Sequence, residues 1–268
     1  MITSFRMYNA VPRAAAAWRA LFERVFADLG LDVRVIDHGF PLPIDSLWGD
    51  PELCCAFMCG WPFVRSPVRM QAIAVPVPSP PRYEGLPRYC SDFLARAEDG
   101  WATLEQSFGQ RFGWMAENSH SGMNAPRAHL ATFTSAARPS LFSSTVGPLG
   151  NPARTLEALR SHAVDVVAID GFYLDLMRHY EPARLSGLVT LGSTPWTPIP
   201  LLVAAPGIGP AVVARLRQYL TTMHTRADYA PLLAAVLLTR FDAPNLPAYG
   251  QLERMREDAE RAGYASIR

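Results

Sequence analysis

Apolar positions change their spacing several times along the 268 residues, and each spacing predicts an element. Across 12–29, Trp18, Leu21, Phe22, Val25, Phe26 and Leu29 recur every three or four residues, which predicts a helix with one buried face that Gly30 stops. Residues 3–9 read as a first strand ending at Tyr8-Asn9, and 31–36 alternate as a second. The run 53–59 is almost wholly apolar, as in a strand covered on both faces, and 70–77 reads as another. Successive β-α-β steps of this kind predict an open, mainly parallel sheet with helices on both sides.

Prolines then crowd 75–87 (Pro76, Pro78, Pro80, Pro81 and Pro87), the mark of a boundary. A second α/β series follows: a strand at 89–97, a short helix at 103–109, a strand at 111–116 and helices at 124–135 and 152–162. A strand at 164–169 and a helix at 171–180 complete it. The irregular stretch Gly192-Ser-Thr-Pro-Trp-Thr-Pro-Ile-Pro leads into an apolar strand at 201–205, and the tail reads as helices at 209–224, 226–238 and 247–262. Two proline-rich crossings around a central block predict two lobes, one made of 1–89 with 200–268 and the other of 90–199. Ligands in open α/β sheets sit beyond the carboxyl ends of strands, so a cleft between the two lobes is the expected pocket.

The segment with the most chemistry is RFGWMAENSHSGMNAPR, 111–127. An apolar strand passes through Glu117-Asn118 into Ser119-His120-Ser121-Gly122, and a helical pattern follows. Hydroxyls and a glycine at a strand-to-helix junction put unsatisfied backbone N–H groups beside two serine side chains, a setting that holds an anion or a strongly polar group. The same string also serves as an ordinary N-cap. Asp170 ends an apolar strand, where a carboxylate either faces a crevice or caps the helix that opens at Gly171; Tyr173 follows one turn on. Trp61 and Trp196 stand in Gly/Pro-rich surroundings, suited to line a pocket or to seal a hinge.

Composition narrows the function classes. With 25 basic and 24 acidic residues the net charge is +1, so no global field draws the chain to nucleic acid or to an anionic membrane. Every basic residue is Arg, which removes Schiff-base and Walker-type lysine chemistry. Cys54, Cys55, Cys59 and Cys90 form no Cys-x-x-Cys and find no histidines at ligand spacing, so buried thiols are expected and no metal or cofactor is. No apolar window is long enough to span a membrane, and the start of the chain shows no secretory leader. On that basis the chain as given is expected to be cytoplasmic, or periplasmic if a leader was removed.

Five strings, in order, resemble the phosphonate-binding branch of the type II periplasmic-binding-protein superfamily, the substrate-binding subunits of phosphate, phosphite and phosphonate importers. They are Tyr89-Cys-Ser-Asp-Phe-Leu-Ala-Arg-Ala, Thr103-Leu-Glu with Gly109-Gln-Arg-Phe-Gly, Asn118-Ser-His-Ser-Gly with Pro126-Arg127-Ala128, His162-Ala-Val-Asp-Val-Val-Ala-Ile-Asp170, and Pro198-Ile-Pro-Leu-Leu-Val. The resemblance implies a two-lobed α/β fold, each lobe a mixed, mainly parallel sheet flanked by helices, with the ligand cleft between them. It also implies a non-catalytic protein that closes on a small polar or anionic ligand, phosphonate- or phosphate-like or a small aromatic anion, and an ABC permease as partner. By position it implies ligand contacts from Tyr8, Trp61, Ser119, Ser121, Gly122 and Asp170. Asn9, His120, Tyr173 and Trp196 join the candidates by their place in the chain, beside those residues or in a Gly/Pro-rich loop, and His120, between the two serines, points either into the cleft or away to the surface. One departure stands out: the family's Gly-Ser-His segment is Gly150-Asn151-Pro152 here, without the histidine, which shifts the expectation toward a less charged, larger or aromatic ligand. The alternative is a cytoplasmic enzyme on the same fold, similar to chorismate dehydratase or to the pyrimidine-forming enzymes of thiamine biosynthesis. Against it, no acid/base or nucleophile/base pair is evident in the sequence.

Overall fold

The computed structural model describes all 268 residues. Four strands, β1 (Ile2–Ser4), β2 (Arg34–Val35), β3 (Leu53–Met58) and β4 (Gln71–Pro78), precede the first crossing at β5 (Arg88–Tyr89). Then come β6 (Ser91–Arg96), β7 (Arg111–Gly113), β8 (Ser144–Val146), β9 (Val166–Asp170) and β10 (Leu188–Ser193). The return crossing is β11 (Thr197–Pro198), followed by β12 (Leu201–Ala204) and β13 (Leu238–Asp242). The helices are α1 (Pro12–Leu29), α2 (Ile44–Trp48), α3 (Gly60–Arg65), α4 (Ala125–Ala131) and α5 (Pro152–Arg160). They continue with α6 (Gly171–Tyr180), α7 (Pro210–Thr222), α8 (Ala230–Ala235) and α9 (Gly250–Arg261). The chain divides into two compact units. The first is Met1–Arg88, Asp175–Glu181 and Pro198–Leu246; the second is Tyr89–Leu174, Pro182–Thr197 and Pro247–Arg268.

In the first unit α1 forms where the apolar period predicts it. Pro12 supplies a fixed φ at the first helical position, and Gly30, at φ 60°, ends the helix with its N–H on Ala27 O. The buried stripe of α1 meets an aromatic cluster: Phe5 stacks on Phe22 at 4.2 Å, while Tyr8 and Trp18 meet Phe57 edge-on at 5.0 and 5.1 Å. Each such ring contributes about 1.5–3 kcal/mol through burial alone. Phe57 lies on β3, whose six residues are all buried, as its unbroken apolar run requires.

The six-stranded sheet of this unit runs β13-β4-β12-β3-β1-β2. It is mixed rather than mainly parallel. β1 is parallel to β2 and β3, but β12 returns antiparallel to both β3 and β4, and β13 lies antiparallel on β4. Strand β1 stops at Ser4, short of the expected Asn9, because Phe5 leaves the extended region (φ −108°, ψ 28°) and Arg6–Tyr8 form a 3₁₀ turn. The helix expected at 226–238 ends at Ala235. Leu237 takes a left-handed φ of 54°, and β13 follows within the same apolar run.

The second unit's sheet runs β10-β6-β9-β7-β8, with β7, β8 and β9 parallel and β6 antiparallel to β9 and β10. One face covers a core that includes Phe93, Phe112, Leu130, Phe142, Val166 and Ala168. Tyr264 and Ile267 belong to that same core, and α9 packs on α4. Residues 247–268 therefore sit with the second unit, not with the first as the sequence suggested. Their anchors are invisible locally, since Arg127 Nη1 reaches Ala265 O (3.0 Å) and Leu141 N reaches Arg268 O (2.7 Å). At the start of β9, buried Asp165 takes Arg111 on both oxygens (2.8 and 2.9 Å) and Arg96 at 2.8 Å, while Arg96 also donates to Leu159 O and Val164 O. Burial alone would raise the Asp165 carboxyl; these donors outweigh it and hold the group well below the usual carboxylate range.

Candidate functional site

β7 and β9 are parallel neighbours, so the loop after Gly113 and the carboxylate of Asp170 emerge at the same edge of the second unit's sheet. The helix after β7 opens earlier than its pattern predicts. Ser119 is its N-cap, its Oγ accepting Gly122 N at 2.9 Å, and His120–Asn124 form a π-helical turn that runs on into α4. Asn124 N donates to Ser119 O at 3.1 Å, five residues back. Pro126 explains part of this departure. It has no N–H to give to the carbonyl four residues earlier, Gly122 O, which turns aside and accepts Met115 N at 3.2 Å. Gly122 must be glycine, because a Cβ there would lie 2.5 Å from Met115 Cβ. The π turn packs against β9.

Within this turn Ser121 is distinctive. The residue is only 5% exposed, yet its hydroxyl bonds to no group of the chain. Its amide is one of the first-turn donors for which a helix has no internal acceptor. Two polar groups thus remain available on a largely buried residue, and the hydroxyl oxygen is not among the fully buried unpartnered atoms, so it keeps access to solvent or a ligand. Asp170 is also buried, and its Oδ1 accepts the amides of Phe172 (2.8 Å) and Tyr173 (3.0 Å), capping α6. Tyr173 itself is buried, and desolvation pushes its phenol up to about 12.

His120 is fully buried. Its Nε2 lies 3.2 Å from Thr197 Oγ1 and its Nδ1 3.2 Å from Asn124 Nδ2, and burial pulls its pKa down to about 3, so the ring is neutral. Arg127 places its guanidinium at the end of the turn, where it donates to Asn124 Oδ1 (2.7 Å) and to Ala265 O (3.0 Å). In the stretch that matches the family's Gly-Ser-His segment, Asn151 caps α5 through Arg154 N (2.9 Å), and Pro152, the first residue of that helix, stands where the histidine would be. Trp196 is half-buried, with Gln251 Nε2 on its carbonyl oxygen at 3.4 Å.

The remaining candidates belong to the first unit. The ring of Tyr8 is wholly buried in the aromatic cluster, as the 3₁₀ turn directs it inward. Asn9 follows that turn, and its Oδ1 is buried and meets no donor. Trp61 lies in the first turn of α3, not in a loop, and is buried with the Arg65 guanidinium 4.7 Å from its ring centroid. The structure thus gathers Ser119, His120, Ser121 and Gly122 into one turn beside the strand that Asp170 ends. Asn124 and Thr197, which the sequence did not single out, complete the surroundings of His120. Thr197 lies 77 residues away, a pairing that no local pattern encodes.

All four cysteines are free and buried, and no group of three or more His, Cys, Asp or Glu side chains is placed to hold a metal ion. No helix is long and apolar enough to cross a membrane.

Residues 53–249 match the family described as ABC transporter, phosphonate, periplasmic substrate-binding protein. The fold is similar to a binding protein component of an ABC phosphonate transporter from Pseudomonas aeruginosa, with a TM-score of 0.81 at 16% identity, covering 98% of this chain and 87% of that one. It is also similar to PhnD1 from Prochlorococcus marinus in complex with methylphosphonate, with a TM-score of 0.75 at 17% identity over 97% of each chain. A Xanthomonas citri protein solved bound to ATP aligns with a TM-score of 0.65 at 16% identity over 98% of each chain. Comparison with curated proteins finds no match.

Proposed function

Because the chain belongs to the family of periplasmic substrate-binding proteins of phosphonate ABC transporters, we propose that it binds a small oxyanion or similarly polar molecule at the helix start Ser119–Gly122 and serves uptake through an ABC permease. The observation that carries this reading is Ser121, whose hydroxyl and amide are unmatched although the residue is nearly buried. A ligand oxygen placed there would accept from both, with the positive end of the helix dipole behind it.

Neutral donors and a carboxylate, with the Arg127 guanidinium hydrogen-bonded to Asn124 Oδ1 at the far end of the turn and to Ala265 O, favour a ligand of low charge, or one that brings a donor of its own for Asp170. A fully ionised phosphonate would meet no cationic side chain within the turn. The enzyme alternative needs a group free to move a proton. His120 is buried, neutral and engaged through both ring nitrogens, and Asp170 Oδ1 holds two amides, which supports binding without turnover.

Isothermal titration against methylphosphonate, phosphite, small sulfonates, small aromatic acids and ATP tests the reading. At least one should bind, and Ser121→Ala should weaken that ligand selectively. Silence across the whole set, or binding indifferent to Ser121→Ala, would overturn it.

A further inference from the structure

His120 stands between the two serines of the helix start, yet its ring is engaged elsewhere, and the roles around it are fixed by groups that have no choice. A guanidinium only donates. Arg127 Nη2, 2.7 Å from Asn124 Oδ1, therefore fixes that oxygen as acceptor and sets the orientation of the amide. Asn124 Nδ2 then faces Leu252 O at 3.0 Å and His120 Nδ1 at 3.2 Å. Since Nδ2 only donates, Nδ1 must accept. The single proton of the neutral ring resides on Nε2, which donates to Thr197 Oγ1 at 3.2 Å. The Thr197 hydroxyl passes its own proton toward Tyr89 O at 3.4 Å. Donation thus runs one way, Arg127 to Asn124 to His120 to Thr197 to Tyr89, from α4 to β5 and β11, by which the chain enters and leaves the second unit.

We infer that His120 is a positioning residue that fixes the π turn carrying Ser119 and Ser121 to strand β11 through an Nε2–H imidazole. A π turn is a rare geometry that needs support from its surroundings. Relaxing this one toward an α register would re-aim both serines. Two tethers oppose that change: His120 holds the start of the turn to Thr197, and Asn124 holds its end to the ring itself. Neither hydrogen bond involves Ser121 Oγ, the Ser121 amide or Asp170, the groups proposed to meet the ligand. The inference rests on the reading of Ser119–Gly122 as the ligand-holding element, but its test does not need a ligand.

Long-range proton–nitrogen NMR of the full chain reports the His120 tautomer, and amide exchange reports the turn. We expect the Nε2–H signature in the wild type. In His120→Leu, exchange at Gly122 and Asn124 should rise about tenfold, the factor that one net hydrogen bond represents. His120→Gln, which keeps a donor for Thr197, should recover most of that protection. Thr197→Val removes only the far partner, so it remains informative if the histidine variants fail to fold. It should accelerate the same two amides while those of β9 stay unchanged. An Nδ1–H tautomer, or Gly122 and Asn124 exchange unmoved by Thr197→Val, would overturn the inference. A wild type that exchanges as expected but binds no probe would sink the proposed function alone; one that binds methylphosphonate with an indifferent turn would sink this inference alone.

Discussion

At the scale of single residues, two serines of one turn divide the work. Ser119 Oγ is spent on Gly122 N, so Ser119→Ala loses an N-cap and should lower stability by about 1 kcal/mol in urea denaturation. The Ser121 hydroxyl bonds to nothing in the chain, so Ser121→Ala should change stability by less than about 0.5 kcal/mol while weakening the bound ligand about tenfold in the titration. His120 sets a pH dependence. Its folded pKa lies near 3, below the roughly 6.5 of an unfolded histidine, so below that value the unfolded chain takes up a proton that the fold resists. Stability is complete above about pH 6.5 and falls as pH drops toward 3, at up to about 1.4 kcal/mol per pH unit. His129, lowered by burial in the same direction, adds to the total, so the quantity to measure is the difference between wild type and His120→Gln in denaturant midpoints from pH 7 to 4.5. Asp165 acts lower: its depressed carboxyl stabilises above about pH 4 and loses that contribution only below it.

At the scale of elements, the helix start is legible as chemistry but not as geometry. The string Ser119-His120-Ser121-Gly122 announces a capped opening. What it hides is the extra residue per turn, which depends on Met115 lying against Gly122 and on Pro126 releasing the Gly122 carbonyl. Gly122→Ala should therefore do more than restrict the backbone. Its Cβ would sit 2.5 Å from Met115 Cβ and 2.8 Å from Cε, and the turn must open. We expect a loss of about 1–3 kcal/mol, with accelerated exchange at Asn124 by NMR. Helices α1 and α6 were plain in the sequence, one from its period and Gly30, the other from the Asp170-Gly171 junction. The edge strands β8 and β10 were not. β8 is exposed at all three residues and β10 is buried only at Leu191, so no apolar alternation marks either. Strand β13 was masked because Val236, Leu237 and Leu238 extend the apolar pattern of α8 across its end.

At the scale of the whole molecule, the sequence separates two α/β series, and the proline-rich stretches fall close to the crossings at 88–89 and 197–198. It does not show where the last helix goes. The anchors of 247–268 are long-range: Asn124 to Leu252, Arg127 to Ala265, and Leu141 to Arg268. Tyr264 and Ile267 are buried. Removing 264–268 should cost roughly 3–6 kcal/mol from those two side chains. Hydrogen exchange should show the loss first at 125–131 and 166–168, while the amides of β12 keep their protection.

The place of β12 has a consequence for synthesis on the ribosome. β3 and β4 emerge early and never bond to each other; the slot between them stays open until residues 201–204 arrive, some 120 residues later. Over that interval both ladders expose unpaired, strongly apolar edges, a template for mispairing with other nascent chains. The protein's most vulnerable moment thus precedes its own completion, and a chaperone that shields 53–78 would protect it more than one acting on the finished fold.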